Sequence, residues 1–373
     1  MADQDPIDFG DEAADESATP LERKYREQMR QILSQKIDLP ISTLPDMIKE
    51  QIDLNPEFQR RDRWDQSKQS RFIESIIMNV PIPPIFLGED QYGSYVVLDG
   101  RQRLTAISEF LKNTYTLKGL EVWDDLNGQN FNDLQKKKLD KAITRRFVPA
   151  VIILKESSPQ VKYDVFDRLN TGGVIAEEME IRNAVFPGPF NKFIKKMTEN
   201  PEFRKLWGIP SDPDELEKNG LYRKMDDMEL VLRFFALSDY ARMDMKFKDY
   251  LSDFMAERNR AYSDNPALEE IDRARFLRAV GNCCTVFGES AFRKTENAKK
   301  SAPLADAVMI ALADHEPSNV IERSSAVRTA IENLLATNED FKKAFGTGTN
   351  GKGAIRTRIE LAKTTVEKTL GRE

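Results

Sequence analysis

The sequence predicts an α+β protein, with a mixed α/β region in the first half of its 373 residues and an all-helical region in the second. Two observations support this fold class. Short apolar runs with β-branched or aromatic members, bounded by Pro and Gly, occur in the first half, and such runs are typical of strands. From about Glu177 onward the apolar residues recur at helical spacing only, with short Pro or Gly interruptions.

Strands and helices are expected to alternate in the first half. The run IDLPISTLPDMIKEQIDLNPEF predicts a strand, a short helix and a second strand, and three later runs predict one strand each: PPIFLGE, SYVVLDG and RFVPAVIIL. Asp65 is placed to cap a helix that stops at Pro81. A further helix is expected from Leu104. Two more are predicted, from Pro20 to about Gln35 and over PQVKYDVFDRLN.

The chain is predicted to have three parts. Residues 1–20 contain seven acidic residues and no Lys or Arg, which predicts a disordered acidic tail and leaves the remaining chain nearly neutral. Residues 21–188 are expected to form the mixed α/β domain and residues 189–373 the helical domain. The boundary is placed there because the Pro and Gly residues of FPGPF interrupt any helix.

Composition excludes several classes of protein. No apolar run approaches the roughly 18 residues that a membrane span needs, and the N-terminus lacks the basic and apolar regions of a signal peptide. The two cysteines, Cys283 and Cys284, are adjacent and cannot build a disulfide framework. We therefore expect a cytoplasmic protein without a membrane partner.

The single histidine, His315, excludes most histidine chemistry. Every His-dependent triad, nuclease or zinc site would have to use this one residue. It lies at a predicted helix end beside Pro317, where a histidine commonly has a structural role. We therefore assign it no catalytic function.

The segment LDGRQR, at residues 98–103, predicts an anion-binding turn. Gly100 permits a sharp turn between a strand and the following helix, and the first amides of that helix are unpaired donors at the positive end of its dipole. Arg101 and Arg103 add donors that suit phosphate. Asp99 either holds an arginine or carries a divalent metal. The alternative is a simple strand–helix turn with solvated arginines.

Two other segments carry candidate binding residues. NPEFQRRDRW, at 55–64, places arginines beside Phe58 and Trp64, a combination that can hold phosphates and stack bases; equally, the aromatic residues belong to the core and the arginines pair with neighbouring aspartates. FDRLNTGG, at 166–173, ends in two glycines, of which a helix C-cap explains only one. The glutamates that follow, Glu177, Glu178 and Glu180, suit a metal or a pairing with Arg182.

In this order the three segments resemble the GmrS-like family of prokaryotic proteins, domain of unknown function 262. Its P-x-(F/Y)-Q-R start is matched by residues 56–60, its D-G-Q-Q-R-L-T centre by residues 99–105, and its F-x-R-L-N-T-G-G element by residues 166–173. The resemblance covers roughly residues 35–190. It implies a ParB/sulfiredoxin-like fold and a role in restriction of phage DNA. The helical half carries no motif to compare.

The resemblance also implies binding of a nucleoside triphosphate (NTP) with Mg²⁺, and leaves open whether the NTP is hydrolysed. By analogy Asp99, Gln102 and Arg103 form the catalytic centre, and Asp99 holds the metal. The residues implied to contact the nucleotide are Gln59, Arg60, Gly100, Arg101, Arg103, Asn170, Thr171, Gly172 and Gly173.

Two departures from the family pattern limit the analogy. Arg101 occupies the position of the family's first Gln in D-G-Q-Q-R; if that Gln positions the attacking water, hydrolysis is in doubt while binding remains. The family's fused nuclease is of the His-Asn-His kind, which one histidine cannot supply, so DNA cleavage would need a separate nuclease subunit. Two further hypotheses stay open: a non-catalytic DNA-binding module that uses the same arginines, and, third, a Mg²⁺-dependent nuclease. A homo-oligomer also stays open.

Two other motifs are interpreted as structural. GTGTNGKG, at 346–353, matches a P-loop except that Gly353 replaces the magnesium-binding Ser or Thr, and a helix rather than a strand is predicted before it. A flexible loop is preferred, with Lys352, Arg356 and Arg358 available to a phosphate backbone. The acids Asp226, Asp227 and Glu229 are expected to occupy a first helical turn, with Glu229 paired to Arg233.

Overall fold

The fold is given by a computed structural model that describes residues 33–54, 64–91, 93–157, 163, 165, 177–295, 297–346 and 348–371. These residues form a mixed sheet followed by a helical region, so the α+β class is confirmed. The predicted acidic tail and most of the predicted helix at 20–35 lie outside the described residues. Ser34 and Gln35, which that prediction placed in the helix, belong instead to a strand.

The described residues of the first half form a five-stranded mixed sheet with the order β1-β5-β3-β4-β2. Strand β1 pairs antiparallel with β5, β5 parallel with β3, β3 antiparallel with β4, and β4 parallel with β2. The strands are β1 Ser34–Pro40, β2 Ile52–Asp53, β3 Ile85–Gln91, β4 Ser94–Asp99 and β5 Phe147–Ile153. Each predicted strand of residues 35–155 is present.

Helices connect these strands as the periodicity predicts. Asp65 caps the second helix by accepting a hydrogen bond from the amide of Lys68 at 2.8 Å. The short helices between Leu111 and Phe147 were not predicted. The described helices of this half are α1 Leu44–Glu50, α2 Gln66–Ile77, α3 Arg101–Leu111, α4 Phe131–Lys136 and α5 Lys141–Thr144, with 3-10 turns at Ile41–Thr43 and Asp124–Leu126. Tyr163 and Val165 are also helical.

The second half is helical throughout its described residues, as predicted. Its helices are α6 Glu178–Val185, α7 Pro189–Thr198, α8 Pro201–Trp207, α9 Pro213–Leu216, α10 Gly220–Arg223, α11 Asp226–Ser238, α12 Phe247–Asp264, α13 Leu268–Phe287, α14 Ala302–Leu312, α15 Pro317–Glu322, α16 Ser324–Thr337, α17 Glu339–Lys343 and α18 Lys352–Leu370. Within the described ranges, no helix is long and apolar enough to cross a membrane.

The sheet lies between two hydrophobic cores. Alternate residues of β4 point to opposite faces: Val97 packs in the core of the first half, and Leu98 in the core formed by the helices of the second. Ile152 and Ile153 divide in the same way on β5. Because β4 is buried on both faces, its end at Asp99 is held rigidly, and this end carries the candidate site.

The junction at 186–190 is clamped by Asn259 of α12. Its Nδ2 donates to the carbonyl oxygen of Phe186 at 2.8 Å, and its Oδ1 accepts from the amide of Phe190 at 3.0 Å. Gly188 lies directly against this side chain, since a Cβ there would stand 2.3 Å from Asn259 Oδ1. The Pro and Gly residues that break the helix therefore also admit a buried amide.

We expect Asn259→Ala to destabilise the fold by about 2 kcal/mol, because it leaves buried backbone groups of Phe186 and Phe190 without partners. Urea unfolding followed by circular dichroism measures this. Asn200→Ala is the matched control: Asn200 caps α8 through one hydrogen bond to the amide of Phe203, so about 1 kcal/mol is expected. Equal effects of the two substitutions would contradict the clamp.

Candidate functional site

The candidate site is the turn that joins β4 to α3. Gly100 forms it in the left-handed region, with φ 95°, which non-glycine residues rarely adopt. A Cβ on Gly100 would also lie 2.4 Å from Ile85 Cγ2, at the start of the neighbouring strand. Glycine is therefore required here both for its conformation and for lack of space.

Arg103 ties this turn to the segment before β3. Its Nη1 donates to the carbonyl oxygens of Pro83 at 2.6 Å and Pro84 at 3.2 Å, and its Nη2 pairs with Asp99 Oδ2 at 2.5 Å. The arginine side chain is only 14% exposed. Arg103 and Asp99 are thus close together, as predicted, but in this arrangement both stabilise the turn. A direct contact of Arg103 with phosphate stays a prediction.

The start of α3 has the features of an anion site. Its N-cap is Gly100, which has no side chain to accept from the first-turn amides, and α3 extends for three turns behind them. The positive end of the helix dipole and these amides favour a negative group in this position. Arg101, half-buried at the first position of α3, adds a guanidinium to the same turn.

Gln102 connects the turn to the segment that follows β2. Its Oε1 accepts a hydrogen bond from the amide of Trp64 at 3.1 Å. Strand β2 runs parallel to β4, with Asp53 opposite Val96, so the carboxyl ends of both strands lie at the same end of the sheet. The chain leaves β2 at that end, and Trp64 lies against α3. Gln59 and Arg60, between these points, lie outside the described residues.

The described chain before the third motif ends β5 away from Asp99. β5 runs parallel to β3, and β3 runs antiparallel to β4, so Ile153 lies level with Gly88 and Val96, whereas Asp99 pairs with Phe86. Asn170, Thr171, Gly172 and Gly173 lie outside the described residues, so their predicted contact with the nucleotide stays a prediction.

Asp99 is the sole carboxylate in the segment LDGRQR, and so the sole residue of that segment suited to hold a metal ion. Among the described residues, no cluster of three or more His, Cys, Asp or Glu side chains could hold a metal ion. One carboxylate suits Mg²⁺ bound mainly by phosphate oxygens and water. Metal binding would require Asp99 to share or release its contact with Arg103, and Asp99 is accessible enough for this, at 37% exposure of its side chain.

Two of the glutamates after the third motif, Glu177 and Glu178, form ion pairs with basic side chains. Arg182, fully buried, donates from Nη2 to Glu178 and from Nη1 to Glu229, both at 3.0 Å. Glu177 pairs with Lys224 at 3.2 Å. The predicted Glu229–Arg233 pair is also present, at 3.6 Å. The acidic cluster at the start of α11 is thus structural.

Asp226, in the same cluster, has an altered acidity. Burial, together with the neighbouring Glu229 and Glu177, raises the pKa of Asp226 from 3.8 to about 6. The folded protein therefore keeps this proton better than the unfolded chain, so Asp226 contributes stability below about pH 4 that is lost as the pH rises through 6.

We expect Asp226→Asn to raise the free energy of unfolding at pH 7.5 by about 1 kcal/mol, an amount reduced by partial exposure of the carboxyl. The gain should fall as the pH approaches 4 and vanish below it, because the Asp226 carboxyl of the wild type then becomes protonated in the unfolded chain as well as in the folded protein. Urea titrations at the two pH values measure it. A gain of equal size at both would show that charge is not the cause.

The glycine-rich segment at 346–351 is not a P-loop. It follows α17 and precedes α18, so a helix and not a strand comes before it, as predicted. The prediction that Arg358 is available to a phosphate backbone is wrong. Arg358 is fully buried, where it pairs with Asp306 at 2.8 Å and donates to the carbonyl oxygen of Thr349. It holds the loop in place.

The single histidine and the two cysteines lie in the helical half. His315 is 4% exposed just after α14, and its carbonyl oxygen accepts from Asn282 Nδ2 at 2.9 Å. Cys283 and Cys284 form no disulfide. Burial raises the pKa of both thiols above the usual value, which disfavours a nucleophilic thiolate.

The fold and the turn together define an α+β protein with a strand–glycine–helix turn, a candidate anion site, at one end of a mixed sheet. Residues 41–187 match the family model described as the GmrSD restriction endonuclease, N-terminal domain. This part of the chain is similar to that domain, and the resemblance carried by the three motifs is confirmed. The match indicates a component of a restriction or defence system. Comparison with the curated proteins and with the solved structures gives no significant match.

Proposed function

We propose that the GmrSD N-terminal domain of this chain binds a nucleoside triphosphate at the β4–α3 turn and serves in a DNA-directed defence system. The observation that supports this is the left-handed Gly100. It joins Asp99, at the end of β4, directly to the start of α3, which has no side-chain cap and begins with Arg101. A helix N-terminus following a strand and a glycine is an established way to bind phosphate through backbone amides.

Each part of the turn has a role in this proposal. The amides of the first turn of α3 and the guanidinium of Arg101 bind the phosphates. Asp99 would hold a Mg²⁺ ion, which would neutralise phosphate charge, and Arg103 keeps Asp99 and the turn in position. Gln59 and Arg60 from the first motif, and Asn170 with Thr171 from the third, contact the rest of the nucleotide. The ParB/sulfiredoxin-like fold is part of the same proposal.

Hydrolysis is the step that Arg101 makes uncertain in this chain. Stabilisation of a transferring phosphoryl group is mainly a matter of positioning and charge, which Arg101, Arg103 and Mg²⁺ would supply. A residue that orients the attacking water must come from elsewhere, and Gln102 is the candidate closest to the turn. We extend the proposal to DNA as the target, with a separate nuclease subunit and a cytoplasmic location.

A binding and turnover panel tests the proposal. The protein is titrated with ATP, GTP, CTP and UTP in Mg²⁺, with calorimetry for binding and an assay for released phosphate. We expect Arg101→Ala to weaken NTP binding at least 10-fold, since one charge-assisted contact contributes about 1.5–3 kcal/mol. Arg242→Ala is the control, an exposed arginine of the helical half.

The outcomes separate NTP hydrolysis, NTP binding without hydrolysis and direct DNA binding. Turnover that requires Gln102 and Arg101 would establish an NTPase, and tight binding without turnover would establish a nucleotide-gated module. If no NTP binds, the proposal fails. DNA binding through the same arginines would then be tested by its salt dependence, because contacts to several phosphates weaken steeply as salt rises.

A further inference from the structure

A cavity lies in the helical half, among α13, α14 and α16. It has a volume of about 670 Å³, within the range of small-molecule sites. Its walls combine aromatic and aliphatic side chains from the three helices and the connecting turn: Phe287, Phe292, Leu304, Val308, Ile331 and Leu335. None of these residues belongs to the family match or to the proposed NTP site.

The polar groups at this cavity are mainly cationic. Arg293, Lys294 and Arg328 line it, against one acid, Glu332. Glu332 is already paired with Arg328 Nε at 2.9 Å, and Arg328 Nη2 donates to Ser290 Oγ at 3.1 Å. Within the described chain, Nη1 of Arg328 makes no hydrogen bond. The site therefore has a positive field and an available guanidinium donor.

One residue that lines the cavity, Phe292, has an unusual backbone conformation. Phe292 has φ 63°, a left-handed conformation that is a clear outlier for a bulky residue and is concentrated at functional sites. Its ring packs on Trp207 at 4.9 Å between centroids, which fixes the side chain. This conformation places Arg293 and Lys294 directly after a buried cavity-lining ring.

We propose that this cavity binds a small amphipathic anion, with one apolar body against the Phe, Leu and Ile walls and one acidic group at Arg328. Charge complementarity supports an anion, and the apolar walls support a hydrophobic body. A nucleotide does not fit this chemistry, because the polar edges of its base and its ribose hydroxyls would be left without hydrogen-bond partners against such walls.

The test uses 8-anilinonaphthalene-1-sulfonate as the probe and N-phenyl-1-naphthylamine as its uncharged analogue. Titration of the full chain, followed by fluorescence, should give one site that prefers the sulfonate at least 10-fold. Equal affinity for the two dyes would overturn the anionic part of the proposal, and no saturable site for either would overturn all of it.

Two variants locate the site. Ala336→Trp should abolish sulfonate binding, because exposed Ala336 lines the cavity and an indole there would fill it. Arg328→Gln should weaken binding about 10-fold, by loss of one charge-assisted contact. Ala326→Trp, also exposed on α16 but outside the cavity, is the matched control. Wild-type binding by Ala336→Trp would contradict the assignment.

The proposed NTP site provides an independent readout. NTP binding by Ala336→Trp should equal that of the wild type, because the cavity and the β4–α3 turn share no residue. Saturating ATP should not displace the sulfonate dye. Displacement would mean that the cavity accepts nucleotides, and would overturn the amphipathic-anion proposal without deciding whether the turn binds NTP.

Discussion

Asp306→Ala is expected to destabilise this protein more than any other single substitution that we predict, by at least about 4 kcal/mol. Asp306 is 4% exposed on α14. It receives two hydrogen bonds from Arg233, at 3.1 and 2.7 Å, and one from Arg358 at 2.8 Å. Its removal would take the counter-charge from buried Arg358 and would leave buried Arg233 with only its longer pair to Glu229, at 3.6 Å.

The charges around Asp306 depend on each other. Burial opposes the charge of Arg233, but Asp306 and Glu229 together raise the pKa of Arg233 above its usual value. For Arg358 burial prevails and lowers its pKa, despite Asp306. Substitution of the aspartate therefore removes the main group that keeps both arginines favourable in the interior.

Unfolding in urea, monitored by far-ultraviolet circular dichroism, measures this effect, and Asp314→Ala is the control. Asp314 makes a similar two-bond pair with Arg275, at 2.8 and 3.1 Å, but its side chain is 55% exposed. An exposed pair contributes about 0–1 kcal/mol. If both substitutions had effects below 1 kcal/mol, the buried network would not be a source of stability.

Gly100→Ala is expected to have the second-largest effect, a loss of about 3 kcal/mol in stability together with loss of NTP binding. A left-handed alanine costs about 1–2 kcal/mol, and its methyl group, 2.4 Å from Ile85 Cγ2, forces the start of β3 away from the turn at a further cost of about 1–3 kcal/mol. Thermal unfolding and NTP calorimetry measure the two consequences.

Gly128→Ala is the control that separates the cost of a left-handed backbone from the cost of a steric clash. Gly128 has φ 82°, but a Cβ there would meet no atom of the described chain within 4 Å. It should therefore lose only the conformational part, about 1–2 kcal/mol, and bind NTP normally. An equal loss for the two alanine variants would contradict the close packing of Gly100 on Ile85.

The elements of the fold followed from local signals. Asp65 caps α2 as its sequence predicts, and the apolar runs at β3, β4 and β5 form strands because β-branched and aromatic residues favour a buried pleated sheet. Ser34 and Gln35 extend β1 instead of a helix because pairing with β5 outweighs the helical pattern of the charged residues before them. The strand order depends on distant pairings that one sequence does not contain.

For the candidate site, the sequence predicted which residues lie at the turn but not the hydrogen bonds among them. It offered an arginine as one partner of Asp99, and Arg103 is that partner. The sequence did not reveal that Arg103 would donate to the carbonyl oxygens of Pro83 and Pro84, twenty residues earlier. Pro83 and Pro84 have no amide proton, so this stretch cannot form a regular strand ladder. Its carbonyl oxygens then need donors from elsewhere, and this was the signal to consider. Arg358 was misassigned because burial depends on tertiary packing.

Hydrogen exchange measured by mass spectrometry, on peptides covering residues 98–107 with and without saturating NTP and Mg²⁺, tests the central claim most directly. If phosphate binds the amides at the start of α3, exchange of residues 101–103 should slow by at least 10-fold, while peptides from the cavity between α13 and α16 remain unchanged. Saturation with NTP and no slowing at residues 101–103 would contradict the claim that this turn is the nucleotide site.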